Sequence, residues 1–205
     1  MKYIKTFEAK KSTEEPLIQA AKRGSVTKVK ELLKSGVDIN IRSKNDRRTA
    51  LMNATLNSYL AVVMLLVESP KVDVNLVDMD GRTALMMSST KKISNILLDA
   101  GTDVNIRNYK GETCVMESLN YIGQYKGEDF IEMIERHLVK GLDLNIRNVY
   151  DMNFYDKLKE ITTVSKQDWL QSIDTLLRIE IYMDEKFPQY KEEWDFKNDI
   201  KKYNL

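Results

Sequence analysis

Three stretches of the chain are near copies of one another: LLKSGVDINIR at 32–42, LLDAGTDVNIR at 97–107 and HLVKGLDLNIR at 137–147. A looser copy, LLVESPKVDVNLV, occupies 65–77. A second string follows at nearly fixed distance, as RRTALM at 47–52, GRTALM at 81–86 and GETCVM at 111–116. Asn40, Asn75, Asn105 and Asn145 fall 35, 30 and 40 residues apart, and Thr49, Thr83 and Thr113 fall 34 and 30 apart. A recurrence of this length signals an array in which each unit is one supersecondary element that buries its apolar stripe on its neighbours.

Within the first unit, Leu17, Ala20 and Ala21, then Val26, Val29, Leu32 and Leu33, recur at helical spacing on either side of Gly24. That pattern predicts a helix–turn–helix pair. Gly36, Gly101 and Gly141 stand just past the second helix, where a left-handed cap favours glycine. The alternation V-D-I-N-I-R predicts a short extended arm, with Gly81 and Gly111 at its turn. The expected fold is all-α, an α-solenoid of about five repeats with hairpin-like arms and a helical C-terminal cap.

These motifs resemble the ankyrin repeat family, whose pattern runs roughly D-x-x-G-x-T-P-L-H-x-A-A, a turn, V-x-x-L-L and G-A-D-V-N. The resemblance covers about 15–155. In this sequence Ala50, Ala84 and Cys114 stand at the usual proline, and Met52, Met86 and Met116 at the usual histidine. The third copy is about three residues short, and the fourth carries an insertion around 120–129. Membership implies a protein-binding module whose partner docks on the arm tips and on the concave face of the inner helices.

The expected organisation is an N-terminal extension at 1–14, an array at 15–164 and a cap or appended segment at 165–205. Residues 153–161 read as the first helix of a degenerate fifth repeat. Trp169, Ile173, Leu176, Leu177 and Ile181 form one helical stripe that Pro188 ends, and a last helix is expected over 191–203. Asp168, Asp174 and Arg178 fall beside that stripe and are expected to face water. Ten of the 17 aromatic residues lie from Tyr150 onward, which sets this segment apart.

The 205 residues carry 32 Lys and Arg against 31 Asp and Glu, a formal charge of +1 that does not favour a nucleic-acid partner. The longest apolar run, 59–67, is far short of a membrane span, and 1–15 lacks the apolar stretch of a secretory signal, so a cytoplasmic, intracellular protein is expected. One cysteine, Cys114, and one histidine, His137, cannot build a Cys/His zinc site or an internal disulfide. No phosphate loop or H-E-x-x-H string occurs. No catalytic residue, cofactor or metal is therefore expected. His137 aligns with Leu32 and Leu97 and reads as a packed histidine. Asp38, Asp73, Asp103 and Asp143 read as repeated turn contacts, and the asparagine row as ties from one arm to the next.

The arm tips are the binding candidates. Residues 42–48 hold four basic side chains and one acid, net +3, and six of the nine arginines lie at or beside arms. The candidate residues are Arg42, Lys44, Arg47, Arg48, Val77, Met79, Arg82, Arg107, Tyr109, Glu112 and Tyr150 at the arms. On the inner helices they are Arg23, Leu56 and Asn57, with Lys22, Ser89 and Thr90 beside them. Arginine and tyrosine beside apolar side chains are typical interface anchors. The expected protein is a monomer binding a protein partner. A self-associating structural spacer is the alternative, and an enzyme with its site between array and C-terminal segment is a further one.

Overall fold

The computed structural model describes residues 16–120, 127–164, 170–192 and 195, leaving aside the side chains at 127–128, 162–164 and 170–177. Helices run over 16–22 (α1), Val26–Lys34 (α2), Ala50–Leu56 (α3), Leu60–Val67 (α4), Lys91–Asp99 (α5), Cys114–Ser118 (α6), Gly127–Val139 (α7), Phe154–Val164 (α8) and Leu170–Lys186 (α9). A single 3-10 turn spans Leu85–Met87. Among the described residues there is no strand. The chain packs as two compact units, Met1–Tyr109 and Lys110–Leu205.

In the first unit the repeated threonine starts the inner helices. The Thr49 hydroxyl accepts the Met52 N–H at 3.2 Å, and the Met52 sulfur accepts the Thr49 N–H at 3.4 Å. This reciprocal cap satisfies two donors that a helix start leaves unpaired. Thr83 repeats the first half of it toward Met86, at 3.4 Å. The third copy's missing residues are taken from its inner helix, so the 3-10 turn stands where α3 has seven residues. Leu85, Met86 and Met87 are nevertheless buried.

α4 packs against α2, α3 and α5, and the 3-10 turn against α3 and α5. Leu17, Ala21, Val29, Met52, Val62, Val63, Leu66, Leu97 and Leu98 are almost wholly buried between them. Each large aliphatic side chain of that set contributes about 1.5–3 kcal/mol through burial. The stripe expected on α2 is narrower than its sequence suggests. Only Val29 is buried there, and Val26 is exposed, because α4 covers one side of α2.

The second unit packs α9 on α7 and α8, and α8 on α6. Phe130, Ile134, Phe154, Tyr155, Leu158, Ile179 and Met183 form its core. α8 begins where the degenerate fifth repeat was expected. α9 stops at Lys186, short of Pro188, and the chain is helical again at 188–192. The rest of the helix expected at 191–203 lies outside the described residues, apart from 195. So does most of the expected stripe: Trp169, and the side chains of Ile173, Leu176 and Leu177, as well as Asp168 and Asp174. Arg178 faces solvent.

The described end of that stripe needs a correction. Ile181 is 57% exposed, while Ile179 and Met183 are fully buried. Residues 179 and 183 lie one turn apart on a face that a two-residue offset turns by about 200°.

Candidate partner-binding surface

The arms are bonded turns, where V-D-I-N-I-R reads as a short extended arm. The Oδ1 atoms of Asp38, Asp73, Asp103 and Asp143 accept the N–H groups of Asn40, Asn75, Asn105 and Asn145, each at 2.9 Å. An aspartate that holds the backbone two residues on folds the chain into a turn. The asparagines then tie neighbouring turns in the first unit. Asn40 Oδ1 accepts the Asp73 N–H, and Asn75 Oδ1 accepts the Asp103 N–H, both at 2.8 Å.

The second arm is organised by Asp78, whose carboxylate is fully buried. Its Oδ1 accepts the N–H groups of Asp80 and Arg82, both at 2.9 Å. Its Oδ2 lies 3.1 Å from Arg82 Nη2 and 3.4 Å from Arg48 Nε. Asn148 plays the neutral version of this role in the second unit, accepting the Tyr150 and Met152 N–H groups at 2.9 and 3.0 Å. Sequence reading missed both, although an Asp or Asn recurs five residues before Thr83, Thr113 and Asn153.

The first arm makes a longer turn. The Ser43 N–H donates to the Arg48 carbonyl at 3.0 Å, and Asp46 Oδ1 accepts the Arg48 N–H at 3.1 Å. Burial pushes the Asp46 carboxyl upward, but the Arg48 N–H, the Ser43 hydroxyl and the charges of Arg48 and Lys22 hold it below its usual value. Arg47 has φ 58°, in the left-handed slot that Gly81 fills at 77° and Gly111 at 74°.

Main-chain bonds join arm to arm. Met79 N–H donates to the Asp46 carbonyl and Tyr109 N–H to the Asp80 carbonyl, both at 2.9 Å. A Cβ at Gly81 would stand 2.8 Å from Tyr109 Cδ1 and 2.9 Å from its N, so that close approach needs glycine. In the second unit Val149 N–H donates to the Lys110 carbonyl at 2.9 Å.

The expected site residues separate into three groups. Lys44, Arg47, Met79, Arg107, Tyr109 and Tyr150 are exposed at the arms, with Met79 at 52%, Tyr109 at 67% and Tyr150 at 69%; Arg42 and Val77 are half-buried. Arg23, Leu56 and Asn57, with Lys22, are exposed around the ends of α1 and α3. Ser89 and Thr90 are half-buried, Ser89 sharing a 3.1 Å hydroxyl contact with Ser58 and Thr90 capping α5.

The third group is structural. Arg48 and Arg82 are held against Asp78, and Arg82 also bonds Asp80 at 2.6 Å. Glu112 is a correction, because it is 4% exposed and offers no surface carboxylate. The Lys157 ammonium, itself buried, bonds it at 2.6 Å and also donates to the Met116 carbonyl at 2.9 Å. A buried carboxylate needs such a partner, and here it comes from 45 residues further along the chain.

The residues with potential chemistry are packed. Cys114 is buried. His137 is 2% exposed, with Nδ1 2.6 Å from the Met133 carbonyl; burial, opposed by that bond and aided by Arg136, holds its pKa below the ordinary 6.5. Met52, Met86, Met87 and Met116 are core residues. Among the described residues no group of three or more His, Cys, Asp or Glu is placed to hold a metal ion. No described helix is long and apolar enough to cross a membrane.

Helical pairs joined by bonded turns at a period of 30–40 residues define a helical repeat protein. Residues 17–108 match the model for ankyrin repeats in three copies. The stretch 17–108 is an ankyrin-repeat array. It is 33% identical over 105 residues to the "Ankyrin repeat and KH domain-containing protein mask-1" of Caenorhabditis elegans, an alignment covering 49% of this chain and 4% of that protein. Ankyrin repeats are in general non-catalytic protein–protein interaction modules.

Proposed function

We propose that this chain is a non-catalytic binding module that engages a partner protein through its exposed arm tips and the surface around Arg23, Leu56 and Asn57. What carries the reading is the combination found at the arms. Main-chain bonds fix Met79 and Tyr109, and in the second unit Val149, while their side chains stay 52–67% exposed. A backbone ordered before binding costs little more entropy on association. The formal charge of +1 favours a protein over a nucleic acid as partner. The module works as an intracellular monomer.

The test compares the full chain with a Met79→Ser/Tyr109→Ser variant in affinity capture from the native cell. A partner captured by the wild type and lost by a variant of equal melting temperature supports the reading. Equal capture by both overturns it.

A further inference from the structure

We infer that the arms of the first unit take an acidic–apolar segment of the partner in a single direction, with carboxylates against the first arm and an aromatic or aliphatic side chain against the second and third. This rests on the protein-binding reading above and adds the partner's chemistry and orientation.

The first arm carries charge that the fold does not use. Its own acid, Asp46, and the buried Asp78 are both engaged by Arg48, at 3.7 and 3.4 Å. Arg42, Lys44 and Arg47 have no carboxylate within ion-pair distance among the described residues, and Lys22 lies near enough to act on Asp46. Arg47 also sits in a backbone conformation that L-residues avoid, in the slot where the next two arms place glycine. The turn therefore has no need of that side chain, and glycine would make it without strain. A strained residue kept at an exposed tip points to a use outside the fold.

The following arms present different chemistry at their tips. Met79 and Tyr109 occupy the position one residue into each turn and are 52% and 67% exposed. The bonds from Met79 to Asp46 and from Tyr109 to Asp80 place the three arms side by side in a fixed order. A segment laid along them meets the cluster of Arg42, Lys44 and Arg47 first and the exposed Met79 and Tyr109 afterwards, with the exposed Arg107 beside Tyr109. A nucleic-acid strand on the same track would carry phosphates over the apolar Met79, in a turn whose cation, Arg82, is already engaged by Asp78 and Asp80, which disfavours it.

The test is selection of random twelve-residue peptides on the immobilised full-length protein, followed by anisotropy measurements on the enriched sequences. Enriched peptides are expected to carry clustered Asp or Glu on one side of Phe, Leu or Met, in one constant order. Their affinity should fall about tenfold in Lys44→Glu/Arg47→Glu, and severalfold on raising salt from about 0.05 to about 0.3 M. Arg47→Gly should bind severalfold more weakly while melting no lower than the wild type, which separates lost charge from lost fold. Enrichment of peptides without acids that still depend on Met79 and Tyr109 overturns the charge assignment and leaves the binding reading standing. A labelled single-stranded oligonucleotide bound as tightly as the best acidic peptide also overturns it. The absence of any tip-dependent peptide overturns the binding reading itself.

Discussion

The first and second arms make the same kind of turn from different residues. In the second, a buried carboxylate at Asp78 gathers two backbone N–H groups and two guanidinium groups. In the first, the corresponding residue is Ser43, whose hydroxyl accepts only a long 3.3 Å bond from the Asn45 N–H. Asp46 supplies the missing acceptor from inside the turn. The left-handed position is glycine in one and arginine in the other. A repeat thus fixes a backbone path, and the side chains that satisfy it can change from unit to unit. What is left over, such as the arginine at 47, is free to face a partner.

The largest expected effect lies in the second arm. Asp78→Ala leaves two N–H groups without their acceptor and leaves Arg48 and Arg82 to Asp46 and Asp80 as partners, which costs about 3–5 kcal/mol by analogy with other broken buried ion pairs. Asp78→Asn keeps the carbonyl oxygen, as Asn148 does naturally, and should cost about half as much. Ser43→Ala in the first arm should cost no more than about 0.5 kcal/mol. Urea unfolding of the three variants checks this order. Equal losses for Asp78→Ala and Ser43→Ala would show that the two turns do not differ as their bonding suggests.

A smaller effect concerns how the asparagine row ends. In the first unit Asn40 and Asn75 each accept the N–H of the next turn. Asn145 instead accepts the hydroxyl of Tyr190 at 3.1 Å, from the helical stretch after α9. The Tyr190 ring stacks 6.4 Å from that of Tyr155, whose hydroxyl donates to Asp184. Burial first, then Asp184, pushes the Tyr155 phenol upward. Tyr190→Phe keeps the ring and removes the bond to Asn145, so the loss should be about 0.5–1.5 kcal/mol. An unchanged melting temperature would mean the asparagine needs no donor at the end of the row.

What the sequence made legible follows the range of each interaction. The aspartate turns join residues two apart, and the asparagine ties recur with the repeat, so both could be read from spacing. The shortened third unit also left its mark, as a gap of missing residues that the structure locates in the inner helix. The pairing of Glu112 with Lys157 had no such signature, because the partner comes from a helix outside the repeated strings. Glu112 follows a glycine turn and looks like a surface acid until α8 is placed. The expectation for Ile181 failed for a different reason. It lies about 200° round the helix from Ile179, and the neighbouring helices bury Ile179 and Met183 instead. Arg47 was legible as a charge, whereas its occupation of a glycine slot appeared only with the backbone angles.

The smallest effect at neutral pH, and the one that changes most with acid, is expected at His137. It stands where Leu97 stands in α5, and both are buried. His137→Leu should alter stability at neutral pH by no more than about 0.5 kcal/mol, because the Met133 carbonyl keeps its helical N–H donor when the ring bond is lost. The two proteins should separate as the pH falls. Burial holds the folded pKa of His137 below 6.5, so the unfolded chain takes up a proton that the folded chain resists. A group with a depressed folded pKa contributes stability that is present above its unfolded value and is lost as pH falls toward the folded one. The wild type should therefore weaken from about pH 6.5 downward, at up to about 1.4 kcal/mol per pH unit. His137 is the only histidine in the sequence. Asp46 and Asp184 have carboxyls held low and begin to protonate only at more acid pH; for Asp184 burial pushes upward, and the Tyr155 hydroxyl and the Lys159 and Lys191 charges outweigh it. The difference between wild type and His137→Leu over the interval from pH 6.5 to about 5.5 isolates this ring. Melting temperatures of wild type and His137→Leu across that interval are the measurement. Parallel curves would mean that the ring is charged without penalty, and that the slot tolerates an imidazolium as readily as a leucine.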